Sequence, residues 1–142
     1  MPHQQMRPET ALGPNGLVVT TLRAAFPNVL AVYAFGSRIQ GQAGPDSDLD
    51  LAVLVAGYAN PLALWDVATD LRAQVGCPVD LLDLRAASTV MQYQVLTTGR
   101  RLWGNELAAG LFESFVMSEK LALNEARAGY LADIAKTGRI HG

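Results

Sequence analysis

The chain has 142 residues, of which half are hydrophobic and 17% charged, with a net charge of −2. That length suits one domain able to bury a continuous core, and the absence of a clustered basic excess argues against a protein that grips nucleic acid through its phosphates. A lone cysteine, Cys77, excludes an intrachain disulfide and a cysteine zinc site, and no apolar run approaches the ~20 residues needed to span a bilayer.

The first 15 residues are polar, lack the apolar core of a signal peptide and read as a flexible tail on a cytoplasmic protein. Residues 16–142 are expected to form one domain. Gly16 to Phe26 carries apolar residues at helical spacing and stops at Pro27. Val29 to Phe35 is β-branched and aromatic, which predicts a buried strand, closed by Gly36. A connection broken by Gly41, Gly44 and Pro45 leads to a second strand, Asp48 to Val55.

Asn60-Pro61 reads as an N-cap followed by proline in the first helical turn, predicting a helix to about Val75 that buries Leu64, Val67, Ala68 and Leu71. Val79 to Leu84 is a third strand, Ala86 to Thr98 a helix with Val90 and Tyr93 on its stripe, and Arg100 to Trp103 a short edge strand. A helical region over about 105–138 closes the chain, with the stripe Leu107, Leu111 and Phe115 expected to pack on the sheet. A single helix of that length would span ~48 Å, so it must either break or overhang the domain. Trp65 and Trp103 read as core or partly buried residues, Cys77 as packing, and His3 and His141 as terminal residues without a role.

Chemistry concentrates between the first two strands. Asp48 and Asp50 are separated by one residue at the mouth of a strand, so their side chains project to one face, ~6.6 Å apart along the backbone. Aspartate is a poor strand former, and paired carboxylates repel unless a cation compensates them. Oxygen ligands of this kind suit Mg²⁺ bound together with substrate phosphates. Upstream, Gly36 allows a phosphate to approach the backbone, while the Ser37 hydroxyl and neighbouring N–H groups offer donors and Arg38 a positive charge. In the third strand Asp80 and Asp83 are three residues apart, so only one of them can face the side used by the first pair.

Gly36-Ser37, ten intervening residues and Asp48-x-Asp50 resemble the nucleotidyltransferase superfamily related to DNA polymerase β, and in particular its minimal nucleotidyltransferase branch, over about residues 17–103. The resemblance implies an α/β nucleotidyltransferase fold, a small mixed sheet flanked by helices, with a C-terminal helical arm. It implies a third carboxylate, Asp80 by position with Asp83 as the fallback, and two Mg²⁺ ions held by Asp48, Asp50 and Asp80, with Gly36, Ser37 and Arg38 binding ATP. Minimal members pair with HEPN-domain ribonuclease toxins and, as antitoxins, transfer AMP from ATP to a toxin tyrosine. The ending from Ala126 to Gly142 is similar to that of such antitoxins. The same pattern leaves open an antitoxin that acts by binding alone, and an aminoglycoside-type enzyme, although the latter usually carries an added helical domain.

Overall fold

The computed structural model describes residues 11–44 and 47–136, so His3, His141 and the last six residues lie outside the described chain. The elements run α1 (Leu17–Ala25), β1 (Val29–Phe35), β2 (Leu49–Val55), α2 (Pro61–Val75), β3 (Val79–Asp83), α3 (Thr89–Thr98), β4 (Arg100–Gly104) and α4 (Glu106–Lys136). Four strands form one mixed sheet in the order β3-β2-β1-β4. β1 pairs antiparallel with both β2 and β4, and β2 pairs parallel with β3 through the α2 crossover. Among the described residues no helix is long and apolar enough to cross a membrane.

The two central strands are buried on both faces, which is why β1 and β2 are nearly continuous apolar runs. Leu49, Leu51, Val53 and Val55 point to one face, where they meet Val18, Val19 and Leu22 of α1 and Val67, Leu71 and Val75 of α2. Ala31, Tyr33, Ala52 and Leu54 point to the other, under Val95 of α3 and Ala109, Phe112 and Val116 of α4. Ala11 and Leu12, which the sequence reading places in the tail, are buried in the first of these layers.

Local chemistry sets the helix ends. The Asn60 side chain accepts hydrogen bonds from Leu62 N at 2.8 Å and Ala63 N at 3.3 Å, and Gly76 closes α2 in the left-handed conformation that glycine adopts without a Cβ penalty. α3 begins later than its periodicity suggests, because residues 86 and 87 donate back to Asp83 O and Leu84 O in a turn and Ser88 provides the cap. Its buried residue is Val95, whereas Val90 is exposed.

The closing helix is continuous, and its second half overhangs the core in solvent. It also seats on a different stripe from the expected one. Leu107, Leu111 and Phe115 are 73%, 64% and 52% exposed, while Ala109, Phe112 and Val116 enter the core. Both stripes have helical spacing, and a polar anchor selects between them. Glu113 Oε2 accepts from the buried Tyr33 hydroxyl at 2.8 Å and from Arg101 Nη1 at 3.0 Å. Burial, followed by the adjacent Glu113 carboxylate, pushes the Tyr33 hydroxyl well above its usual range, so it remains a donor. Trp65, read as at least partly buried, lies outside the α2 stripe and is 66% exposed. Trp103 is partly buried and carries the Arg23 guanidinium 4.3 Å from its ring centroid.

The difference between the stripes is measurable by urea denaturation. Phe112→Ala should lower stability by ~3 kcal/mol or more, and Leu111→Ala by less than ~1 kcal/mol, because only the first empties a packed site.

Candidate active site

Three carboxylates converge at the ends of adjacent strands. Asp50 and Asp80 are direct partners in the parallel β2–β3 register, and Leu49 N donates to Pro78 O at 2.8 Å, locking the two strand starts together. Because alternate residues share a face, Asp48 projects beside Asp50. One oxygen from each of Asp48, Asp50 and Asp80 lies within 4.8 Å of the other two. Asp48 and Asp80 are exposed and Asp50 is half-buried, so the cluster opens to solvent.

Asp83 takes no part in it. Three residues beyond Asp80, it points to the opposite face, and its buried carboxylate accepts from Ala59 N at 2.8 Å and from Arg85 N at 3.1 Å. It ties down the loop after β2. Its low exposure and its place at a strand end are structural demands, and sequence spacing correctly separated it from Asp80.

The loop leaving β1 forms the opposite wall. Phe35 is the register partner of Asp50, so Gly36 lies against that carboxylate. Gly36 has φ +82°, and a Cβ built there would clash with Asp50 Oδ2. Glycine is therefore required twice, for the backbone conformation and for the close approach. Ile39 N and Gln40 N donate to Gly36 O at 3.1 Å and Gln42 N to Ser37 O at 2.9 Å, so residues 36–42 form tight turns. Arg38 holds the far end of the loop, with Nε and Nη2 donating to Ser47 O at 3.1 and 2.8 Å.

Partial burial pushes the Asp50 carboxyl up from 3.8 to about 6, and the charges of Asp80 and Asp48 push in the same direction. The cluster thus concentrates carboxylates at one open site. Its donor set is all oxygen, the coordination a hard divalent cation takes.

Residues 19–107 match the family model described as "Polymerase beta, Nucleotidyltransferase". The protein adenylyltransferase MntA of Shewanella oneidensis is 37% identical over 117 residues, covering 82% of this chain and 84% of the relative. A solved toxin–antitoxin structure with AMP-PNP superposes with a TM-score of 0.74 at 36% identity, covering 83% of this chain and 95% of the other. The complex of a tri-AMPylated Shewanella oneidensis HEPN toxin with its MNT antitoxin gives a TM-score of 0.69 at 34% identity, covering 84% and 93%. With the match spanning β1 to β4 and every carboxylate of the cluster, the chain belongs to the polymerase β-type nucleotidyltransferase family.

Proposed function

We propose that this chain is a protein adenylyltransferase antitoxin that transfers AMP from ATP to a tyrosine hydroxyl on a cognate HEPN-domain toxin and so neutralises it in the cytoplasm. The observation that carries this reading is the convergence of Asp48, Asp50 and Asp80 beside the Gly36 turn, in a chain similar to a named adenylyltransferase. ATP as the donor is supported by the AMP-PNP complex of the structural neighbour. A purely sequestering antitoxin would gain nothing from three crowded carboxylates that repel one another.

Asp48, Asp50 and Asp80 fit Mg²⁺ by donor type and spacing and would hold one or two ions. When bound, the metal supplies positive charge to the triphosphate and to the oxygens exchanging at the α-phosphorus. Gly36 lets the phosphates approach the backbone, and the Ser37 hydroxyl donates to them. Arg38, by gripping Ser47 O, keeps the loop closed around that position and adds its own charge. The acceptor oxygen forms a bond to the α-phosphorus as the bond to pyrophosphate breaks. The acceptor's proton passes to Asp80, which stands on the open side of the cluster.

Incubation with radiolabelled ATP, Mg²⁺ and the protein product of the neighbouring gene should label that protein, whereas a stable unlabelled complex would overturn the enzymatic reading. Asp48→Asn, Asp50→Asn and Asp80→Asn should each reduce transfer on the order of 10²-fold or more.

Asp50→Asn also separates chemistry from folding. A carboxyl whose folded pKa is raised from 3.8 to about 6 binds its proton more tightly in the folded state. Metal-free stability therefore falls as pH climbs through that window and is lowest above it. The full shift would amount to ~3 kcal/mol, and the solvent reaching Asp50 reduces it to ~1 kcal/mol. Thermal melts without metal at about pH 7.5, above that window, should show Asp50→Asn more stable than wild type, and added Mg²⁺ should raise the melting temperature of wild type alone. Gly36→Ala should cost ~1–3 kcal/mol of stability and displace Asp50, lowering transfer even where the variant remains folded.

A further inference from the structure

The carboxylates of the cluster are held in two different ways. Asp50 and Asp80 are register partners inside the β2–β3 ladder, so the sheet itself fixes their backbone. Asp48 stands one residue before β2 and outside that ladder, whose first pair is Leu49 with Val79. It is also exposed, so packing does not hold it in place. Its backbone is restrained on one side by Leu49, whose N–H donates to Pro78 O, and on the other by whatever holds Ser47.

Ser47 is held through each of its polar groups. Its N–H donates to Gly44 O at 3.2 Å, its hydroxyl accepts from Gly44 N at 2.8 Å, and its carbonyl accepts from Arg38 Nε at 3.1 Å and Nη2 at 2.8 Å. That carbonyl belongs to the peptide joining Ser47 to Asp48, which is a rigid plane. Two guanidinium donors on its oxygen therefore set the direction in which Asp48 leaves the loop. Arg38 itself sits in the turn that Ile39 N and Gln40 N close by donating to Gly36 O, and Gly36 lies against the Asp50 carboxylate. A ring of contacts thus runs from Asp50 through the Gly36 turn, Arg38 and Ser47 to Asp48.

A grip on a backbone carbonyl is a use of Arg38 separate from its charge, and the two have opposite consequences for a metal. Charge alone on this loop opposes a cation at the carboxylates. A clamp that holds a ligand in place favours one, because groups behind the ligands of a metal orient them and raise its affinity.

We propose that Arg38 and Ser47 are positioning residues, and that the clamp between them holds Asp48 in line with Asp50 and Asp80 and so sets the affinity of the cluster for a divalent cation. The inference rests on the metal-dependent transfer reading above. Asp48 is the carboxylate that the sheet leaves unheld, and the clamp closes on the residue beside it.

The test is titration of Mn²⁺ alone, without nucleotide, into the metal-free full chain, with the free ion read from its electron paramagnetic resonance signal. Arg38→Met keeps an extended side chain and removes both its donors and its charge. The Mn²⁺ concentration at half-saturation should rise about tenfold or more, and in an Asp48→Asn background the same substitution should change it by less than about twofold, because the clamp acts through Asp48. Ser47→Ala, which releases Gly44 N, should raise it about threefold and decides the question if Arg38→Met does not fold. Unchanged or tighter Mn²⁺ binding in the folded variants overturns the clamp, tighter binding being the mark of charge alone. An equal loss in the Asp48→Asn background overturns it too, as does a lower urea midpoint with wild-type Mn²⁺ affinity, which would make the contact merely structural. Each of these results leaves the metal reading standing. A wild-type chain that binds no more Mn²⁺ than one carrying Asp48→Asn and Asp50→Asn together overturns the metal reading and the clamp with it.

Discussion

The parallel pairing of β2 with β3 is the constraint on which the site depends. Neighbouring strands in a hydrogen-bonded ladder lie ~4.8 Å apart, so register partners on one face are forced together whatever their charge. Here the partners are Asp50 and Asp80, with Asp48 one pleat away. Their mutual repulsion opposes folding, and the same two strands offset it on the reverse face, where Leu49, Leu51 and Val53 pack under α1 and α2. A hydrophobic layer on one side of the sheet holds an electrostatically unfavourable cluster on the other. Burial first, and then the charges of Asp80 and Asp48, raise the Asp50 carboxyl, and a cation held there would oppose both.

The pairing also fixes what surrounds the cluster. β1, antiparallel to β2, brings its C-terminal end beside the start of β2, which places Gly36 against Asp50. Any larger residue there would push the carboxylate out of line. Arg38 closes the connection onto Ser47, two positions after which β2 begins. The donors read for phosphate thus lie in the connection that leads into Asp48 and Asp50, while Asp80 joins them from β3.

At the other end of the sheet the forces are apolar. The long helix α4 crosses the face opposite α1 and α2, pinned by Glu113 to Tyr33 and Arg101. Arg101 reaches Glu106 as well, at 3.5 Å, so the β4 edge and the first turns of α4 are one unit. That anchor sets which side of α4 meets the sheet and which remains in water, and beyond about residue 119 the helix has little core beneath it.

Much of this was legible in the amino-acid order. β-branched runs fixed β1 and β2, Asn60 and Gly76 bounded α2, and spacing put Asp48 and Asp50 on one face and Asp80 and Asp83 on opposite ones, while the family resemblance was what singled out Asp80. These features follow from local periodicity, which each segment carries within itself. What local periodicity could not resolve was α4, where Leu107-Leu111-Phe115 and Ala109-Phe112-Val116 are equally helical in spacing. The second stripe is buried because Glu113, beside Phe112, finds the Tyr33 hydroxyl across 80 residues of chain. Trp65 was misread for the same reason, since a large apolar side chain signals burial only when its face of the helix has something to meet. The sequence by itself determined which groups could do chemistry and on which strand face they stood. Only the tertiary structure decided that Asp80 pairs with Asp50, and which apolar surface stays open, because both depend on contacts between segments distant in the chain.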